Sequence, residues 1–480
     1  MNVLSLFDGI SCGQVAFKRL GIEFGNERER ESNRYFASEI NKYAIQVTQK
    51  NFPNTIEIGD IRNVHYENGI LYKNCEYKSQ RWHLGDEIAK VNFDYIIGGS
   101  PCQNFSFAGK ANGMTTKTNE KIVTLERYLE LKDQNYEFDG YSYLFWEYIR
   151  LLNEVKPKYF LLENVRMKKE WECVLNNVIG FEPTKIDSAL VSAQTRKRLY
   201  WVGKKVGDNY KKIEIPQPFD RGLIIKDILD YENNNNEEVP YGVEKRYKEF
   251  ADKNNYIPQH FNAYNNKDIT TKSNTISTHM YGSGSGSVEN ILPICLNSKS
   301  GRNGIKGLQP SLQDRIYSEN GKHTACTTCY MPNIAQPKRV GLYPNNKNEL
   351  KNSQGNRIYS EDYKACTQVG NAGGEGAKTG LYAIKTKVPY YEVKDGFITI
   401  NNNNKFPIKL DDGYYIIRKL SPLECERLQT LDDNYTDCVS NNQRYKCIGN
   451  GWTVEVVKHI LSYILNERGL NYEMGINKLL

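Results

Sequence analysis

The chain has 480 residues, of which 39% are hydrophobic and 25% charged, and its formal net charge is +7 at pH 7. This is the composition of a folded protein of two to four domains, and the basic excess suits a polyanionic partner as well as an ordinary basic enzyme. No run of 18 apolar residues is present and the N-terminus lacks a signal-peptide layout, so we expect no membrane span and a cytoplasmic location.

Strand and helix patterns alternate along the first 206 residues. The predicted strands cover residues 3–7, 35–38, 93–97, 158–162, 186–191 and 200–206, and the predicted helices cover residues 14–20, 43–51 and 143–152. Such alternation is typical of an α/β fold with a doubly wound, mostly parallel, Rossmann-like sheet. Ligands of these sheets bind beyond the carboxyl ends of the strands, where Glu39, Cys102 and Glu163 are expected.

The composition changes after about residue 215. Asparagine runs at 233–236 and 401–404 and a Gly/Ser-rich stretch at 283–287 are typical of linkers or exposed loops. Helical patterns return from Ser421 and again over residues 453–465. We therefore predict a first catalytic segment at 1–214, a smaller inserted β-rich domain at 215–410, and a return to the catalytic domain at 411–480.

One unit recurs inside the predicted insert. Residues 314–319 return as residues 356–361, so that Arg315 and Arg357 lie 42 residues apart, and each copy is followed by a Lys, a Cys-Thr pair and a Gly-Leu-Tyr. The repeat suits a stacking unit of a small β domain, and it equally suits loops that contact a phosphate backbone. Cys326 and Cys329 form a CxxC without a second pair, so no zinc site is expected.

Three features of the first segment suit a nucleoside-bearing cofactor. The turn Phe7-Asp8-Gly9 lies between a strand and a helix, where glycine lets the backbone approach a ligand. Glu39 ends the second strand and is placed to accept from ribose hydroxyls, and Asp60 ends a third segment. Taken singly, each acid is equally well explained as a solvated surface residue.

Two groups of residues suggest covalent chemistry. Cys102 follows a buried strand in the rigid turn Gly98-Gly99-Ser100-Pro101, and a thiolate is a good nucleophile toward an electron-poor carbon. Glu163 emerges from an apolar strand, where a low dielectric favours a protonated carboxyl. Gln194, Arg196 and Arg198 alternate along an extended segment and therefore face one side, although a basic surface turn would look the same.

These motifs, in this order, resemble the DNA cytosine-5 methyltransferases. The resemblance covers residues 1–206 and 416–466, and the insert corresponds by position to the target recognition domain of that family. The matching motifs are Phe7-Asp8-Gly9, Pro101-Cys102-Gln103, Glu163-Asn164-Val165, Gln194-x-Arg196-x-Arg198, Arg418-x-Leu420-Ser421-Pro422-x-Glu424-x-x-Arg427-Leu428-Gln429 and Tyr445-Lys446-Cys447-Ile448-Gly449-Asn450-Gly451.

The resemblance implies methyl transfer from S-adenosyl-L-methionine to cytosine in double-stranded DNA, with the base flipped out of the stack. It leaves open whether a cognate restriction endonuclease accompanies the chain in its host. The implied catalytic residues are Cys102, Glu163, Arg196 and Arg198, with Pro101 and Asn164 helping to hold the base. The implied cofactor-binding residues are Phe7, Gly9, Gly13, Glu39, Asp60, Leu144 and Asn450.

The chain departs from the usual motifs at three positions. Ser11 replaces a glycine, Cys447 replaces a glutamine, and Trp452 stands where a small residue is usual. We expect none of these changes to touch the chemistry, although Trp452 is expected to alter packing beside the cofactor.

A tRNA cytosine methyltransferase of the same fold and a non-catalytic DNA-binding relative are the alternatives. The tRNA branch characteristically carries a Cys-Phe-Thr tripeptide and a small recognition domain, and this sequence has neither. The joint presence of Cys102, Glu163, Arg196 and Arg198 argues against a non-catalytic relative.

Overall fold

The structure is a computed structural model that describes residues 1–25, 33–105, 112–230, 261–262, 267–268, 336–345, 348–368, 370, 380–386, 391–400 and 404–466. Arg315, Cys326 and Cys329 lie outside these residues, and so do the asparagine run at 233–236 and the Gly/Ser-rich stretch at 283–287. The proposed role of the first repeat copy therefore stays a prediction.

The helices of the described residues flank two sheets. They are α1 (Cys12–Arg19), α2 (Lys42–Asn51), α3 (Leu125–Asp133), α4 (Phe145–Val155), α5 (Lys169–Ile179), α6 (Pro422–Leu428), α7 (Asn441–Asn450) and α8 (Val454–Asn466). The strands are β1 (Asn2–Leu6), β2 (Arg34–Ser38), β3 (Ile56–Glu57), β4 (His65–Glu67), β5 (Ile70–Lys73), β6 (Glu76–Lys78), β7 (Arg81–His83), β8 (Asp86–Lys90), β9 (Tyr95–Gly99), β10 (Thr115–Thr116), β11 (Phe138–Asp139), β12 (Tyr159–Val165), β13 (Thr184–Asp187), β14 (Lys197–Val206), β15 (Asn209–Lys212), β16 (Phe261–Asn262), β17 (Lys267–Asp268), β18 (Arg339–Leu342), β19 (Arg357–Ser360), β20 (Leu381–Thr386), β21 (Tyr391–Lys394), β22 (Phe397–Ile400), β23 (Asn404–Pro407) and β24 (Gly413–Arg418).

The larger sheet has the strand order β13-β14-β12-β9-β1-β2-β3, with β15 paired to β14. Strands β3, β2, β1, β9 and β12 are parallel, whereas β14 is antiparallel to both of its neighbours on this path. The predicted α/β sheet is confirmed, with an antiparallel strand near one edge. The strand order reverses between β1 and β9, which is where such sheets open a crevice for ligands.

Alternating side chains of the sheet bury two separate cores. Val3 and Tyr35 face one core, whereas Leu4 and Phe36 face the other. The first core also receives α1 and α8, which pack against each other, and the second receives α4 and α5. Strands that are buried on both faces read as continuous apolar runs, which is why the sequence identified them.

One predicted strand is wrong. Residues 186–191 were expected to be extended, but β13 ends at Asp187 and a 3₁₀ helix covers Ser188–Leu190. The side chain of Asp187 accepts from the amide of Ala189 and so caps the new helix. Such a local side-chain bond competes with the strand pattern.

A second sheet of seven strands lies in the predicted insert, in the order β18-β19-β20-β24-β21-β22-β23. It has its own apolar core around Ile358, Val393 and Ile398. The sheet extends through β24 to Arg418, past the predicted return at residue 411. A fourth apolar cluster, which includes Ile225 and Leu428, joins this sheet to the catalytic segments.

No helix among the described residues is long and apolar enough to cross a membrane.

Candidate active site

Three strand ends bring the predicted catalytic residues together. Glu163 in β12 pairs in register with Gly99 at the end of β9, and Cys102 follows three residues later. The neighbouring strand β14 carries Arg198, which lies opposite Val165. A Cβ atom on Gly99 would lie 2.9 Å from Oε2 of Glu163, so only glycine leaves room for the carboxyl group here.

Both carboxyl oxygens of Glu163 have partners. Nε of Arg198 lies 3.0 Å from Oε1, and Nε1 of Trp452 donates to Oε2 over 3.3 Å. Glu163 is only 8% exposed, and a buried charge of this kind requires such partners. The sequence placed Arg198 beside Glu163, but it did not place Trp452 there.

Cys102 is a half-buried free thiol. Burial raises its pKa above the usual 9.0, the charge of Glu163 raises it further, and Arg198 and Arg196 oppose both effects. The sulfur is therefore a thiol at neutral pH in the unliganded protein. Because the thiolate is the reactive form, activation depends on a change in the charges around it.

Asn164 supports the turn that carries Cys102. Its Nδ2 donates to Oγ of Ser100 over 3.0 Å, and its Oδ1 accepts from the amide of Val165 over 2.8 Å. Asn164 is fully buried and thereby fixes the start of the Ser100-Pro101-Cys102 turn.

Arg196 connects three segments of the chain. Its guanidinium donates to the carbonyl of Gln368 over 2.9 Å, of Gly449 over 3.2 Å and of Gly451 over 2.9 Å. Burial, followed by the charge of Arg198, lowers its pKa to about 10, so it stays charged at neutral pH. Arg196 thus joins β14 to the second sheet and to the segment after α7.

The first turn of the sheet has an unusual backbone. Phe7, Gly9 and Ser11 all have positive φ, at 57°, 62° and 56°. The amide of Gly9 donates to Oε2 of Glu39 over 2.9 Å, while Oε1 of Glu39 accepts from the amides of Ile40 and Asn41. Apart from the chain neighbours of Gly9, no atom of the described residues lies within 4 Å of where its Cβ would be, so this side of the turn leaves room for a ligand.

The carboxyl group of Asp8 holds this turn through side-chain hydrogen bonds, a role that the sequence did not reveal. Its carboxyl group accepts from the hydroxyls of Ser5 over 2.5 Å, Tyr35 over 2.8 Å and Ser11. Burial is the largest effect on Asp8 and raises its pKa to about 6.

Asp60 is the N-cap of the 3₁₀ helix Ile61–Asn63, and its carboxylate forms a bidentate pair with Arg62. These hydrogen bonds lower the pKa of Asp60 against the opposing effect of burial. Behind this loop, Nη2 of Arg150 donates to the carbonyls of Ile61 and Val64. The loop is therefore held rigidly.

The remaining predicted cofactor residues have different surroundings. Leu144 is buried at the end of a 3₁₀ helix that leads into α4, and Asn450 is exposed at the end of α7. Gly13 is buried in α1, where a Cβ atom would lie 2.6 Å from Cδ1 of Ile97. Gly13 therefore allows α1 to pack closely on the sheet.

Comparisons with known proteins match the chain to one protein family over most of its length. A profile of the family described as C-5 cytosine-specific DNA methylase matches residues 1–466. The chain is similar to the orphan methyltransferase M.SPRI of Bacillus phage SPR, with 23% identity over an alignment 514 residues long. The alignment covers 97% of this chain and 98% of the relative. It is also similar to the type II methyltransferase M.Sau3AI of Staphylococcus aureus, at 25% identity over 390 residues that span 78% of each chain.

Two solved structures with 15% identity cover 98% of this chain. One is the methyltransferase EhMeth of Entamoeba histolytica, with a TM-score of 0.46 and 98% of its own chain covered. The other is a putative DNA modification methyltransferase encoded within an Escherichia coli prophage, with a TM-score of 0.44 and 99% of its chain covered.

Proposed function

Since the chain belongs to the family of C-5 cytosine-specific DNA methylases, and is thus a DNA cytosine methyltransferase, we propose that it methylates carbon 5 of cytosine within a specific double-stranded DNA sequence through a covalent cysteine adduct. The observation that carries the proposed mechanism is the grouping of Cys102, Glu163 and Arg198 at the ends of three adjacent strands.

The residues around the first turn fit S-adenosyl-L-methionine. The open side of Gly9 gives the backbone access to a ligand, and the carboxylates of Glu39 and Asp60 are acceptors for hydroxyl and amino groups. Phe7 packs against the apolar core that contains Leu144, and Asn450 lies on the return segment at the end of α7. When bound, the cofactor supplies an electrophilic methyl group.

The protein residues activate the base. The thiol of Cys102 gives up its proton to water, and the resulting thiolate forms a bond to carbon 6 of cytosine. The electron pairs of the 5,6 and 3,4 double bonds shift by one position, so that ring nitrogen 3 takes a proton from Glu163 and carbon 5, now doubly bonded to carbon 4, becomes nucleophilic. After methylation, water takes the carbon 5 proton, the electron pair of that bond restores the 5,6 double bond and expels the Cys102 thiolate, and ring nitrogen 3 returns its proton to Glu163. Arg198 holds Glu163 in place throughout.

Access to carbon 6 requires the base to leave the duplex. The second sheet has its own apolar core and suits the role of the target recognition domain. Arg196 and the Asn164-supported turn would keep the pocket in shape when the base enters.

Replacement of Cys102 by serine tests the mechanism. DNA that contains 5-fluorocytosine should form a denaturation-resistant adduct with the wild-type protein and the cofactor, but not with Cys102→Ser. The variant should still bind DNA, because the thiol reacts but positions little. Cys173→Ser, which changes an exposed cysteine in α5, is the matched control and should behave as wild type.

Two results would contradict the proposal. One is 5-methylcytosine in DNA at near the wild-type rate with Cys102→Ser. The other is methylation of tRNA by the wild-type protein in preference to duplex DNA.

A further inference from the structure

The indole of Trp452 lies between Glu163, one of the proposed catalytic residues, and Gly13, one of the proposed cofactor-binding residues. Its N–H points at Oε2 of Glu163 over 3.3 Å. The six-membered edge of the ring comes within 3.6 Å of where a Cβ of Gly13 would be, and Nε1 lies 2.9 Å from the corresponding position at Gly99. Gly99 thus leaves space for this side chain, whereas the distance at Gly13 is an ordinary van der Waals contact. Trp452 contacts the proposed acid directly, which argues against the expectation that it leaves the chemistry untouched.

The backbone around Trp452 is fixed by buried donors. The carbonyl of Gly451 accepts from Arg196 over 2.9 Å and from Nε2 of Gln429 over 3.3 Å. On the other side, the hydroxyl of Thr453 donates to Oε1 of Gln429 over 2.8 Å. Because both neighbours of Trp452 are held, the direction of its indole N–H is set by the fold.

The donors at Glu163 share one chemical property. An indole N–H and a guanidinium can each donate a hydrogen bond, and neither can accept one. The carboxyl group is thus an acceptor on both oxygens. A hydrogen bond donated to a carboxylate favours the charged over the protonated form, so the loss of a donor acts in the opposite direction. Arg198 adds a full charge to its bond, whereas Trp452 is neutral and its bond is longer. The Trp452 bond is therefore the weaker of the two.

We propose that Trp452 is a positioning residue that orients the carboxyl group of Glu163 and sets the pH range in which Glu163 delivers its proton. This inference rests on the proposed function, in which Glu163 protonates the base. The other titratable groups that face Glu163 are Arg196, Arg198 and Tyr200 on or beside β14 and Cys102 after β9. They are the same in the variants compared below.

The experiment measures single-turnover methylation of a DNA duplex as a function of pH. Glu163→Gln first identifies the limb of the pH–rate profile that belongs to Glu163, because that limb disappears. In Trp452→Phe, which keeps an aromatic ring but removes the N–H, this limb should move to higher pH by roughly 0.5 to 1 unit. The dissociation constant for DNA should stay within about threefold of wild type, since the contact does not involve DNA.

Trp201→Phe is the matched control. Its Nε1 donates to Oδ1 of Asn176 over 2.9 Å, so this change removes a buried indole hydrogen bond in the same sheet but away from Glu163. In Trp201→Phe, the limb of the pH–rate profile that belongs to Glu163 should stay at the wild-type pH. Circular dichroism melting would show that both variants are folded.

The outcomes distinguish a failure of the proposed role of Trp452 from a failure of the proposed role of Glu163. A slower Trp452→Phe enzyme whose limb coincides with wild type would overturn the role of Trp452, because only the packing of the ring would then matter. An unchanged rate with an unchanged limb would overturn it as well. If Glu163→Gln kept every limb of an active wild-type profile, the proposed role of Glu163 would fail first.

Discussion

Replacement of Glu163 by glutamine should have opposite effects on catalysis and on the nucleophile. Methyl transfer should be severely slowed, because an amide cannot donate a proton as an acid does. The thiol of Cys102, however, should become more reactive. The charge of Glu163 raises the pKa of Cys102, while Arg198 and Arg196 lower it. Removal of the carboxylate leaves the two cations unopposed by that charge, so the pKa of Cys102 should fall.

The size of the effect follows from the charges. For scale, two unit charges about 8 Å apart at an effective dielectric constant of about 20 interact by roughly 2 kcal/mol. Since Arg198 is paired with Glu163 and offsets part of that charge, we take about 1.4 kcal/mol, which is a tenfold change in the thiolate fraction. Alkylation of Cys102 at pH 7.5 should therefore be about tenfold faster in Glu163→Gln than in wild type.

The assay is a time course with iodoacetamide, read out for each cysteine by peptide mass spectrometry. Cys173 is exposed and provides the internal reference, because its rate should be equal in both proteins. A Cys102 rate in Glu163→Gln that is equal to or below the wild-type rate, after normalisation to Cys173, would refute the electrostatic argument.

Three further changes test other parts of the molecule. Burial raises the pKa of Asp8 from 3.8 to about 6, so its contribution to stability is full below about pH 4 and is lost as pH rises through 6. The Tm of Asp8→Asn, compared with that of wild type by calorimetry, should therefore be more favourable at pH 7.5 than at pH 4. An equal difference in Tm between the two proteins at both pH values would contradict this. Lys364→Met should lower the free energy of unfolding in urea by about 1–3 kcal/mol, because Ala189 and Ser192 lose the buried donor of their carbonyls; an unchanged value would refute this role. Exchange of residues 215–410 with those of a methyltransferase of known specificity should transfer that specificity in bisulfite sequencing, and an active chimera that kept the original sites would place recognition elsewhere.

The part of the site predicted from sequence is the part that depends on strand ends. The carboxyl ends of parallel strands meet at one edge, so residues that follow apolar runs are brought together whatever the loops do. This argument placed Cys102 beside Glu163. Arg198 was grouped with them by the alternation along the extended segment and by the family resemblance, whereas the antiparallel direction of β14 was not predicted.

The contacts that were missed depend on tertiary packing. Trp452 reaches Glu163 across 289 positions of sequence, and no local pattern predicts such a contact. Asp8 was treated as part of a glycine turn, because nothing in the sequence shows that Ser5 and Tyr35 donate to it. The resemblance implied a catalytic role for Arg196, whereas its observed bonds go to backbone carbonyls of distant segments.

The second copy of the repeat shows how the two sheets are coupled. Lys364, only 1% exposed, donates to the carbonyls of Ala189 and Ser192, and Ala365 exchanges backbone hydrogen bonds with the segment that contains Gln194. Arg196, two residues further along, then binds the carbonyl of Gln368. The insert is therefore attached along the same segment that carries Arg196 and Arg198, so a misplaced insert would displace catalytic side chains directly. A specificity chimera that retains residues 364–368 should consequently stay more active than one that replaces them.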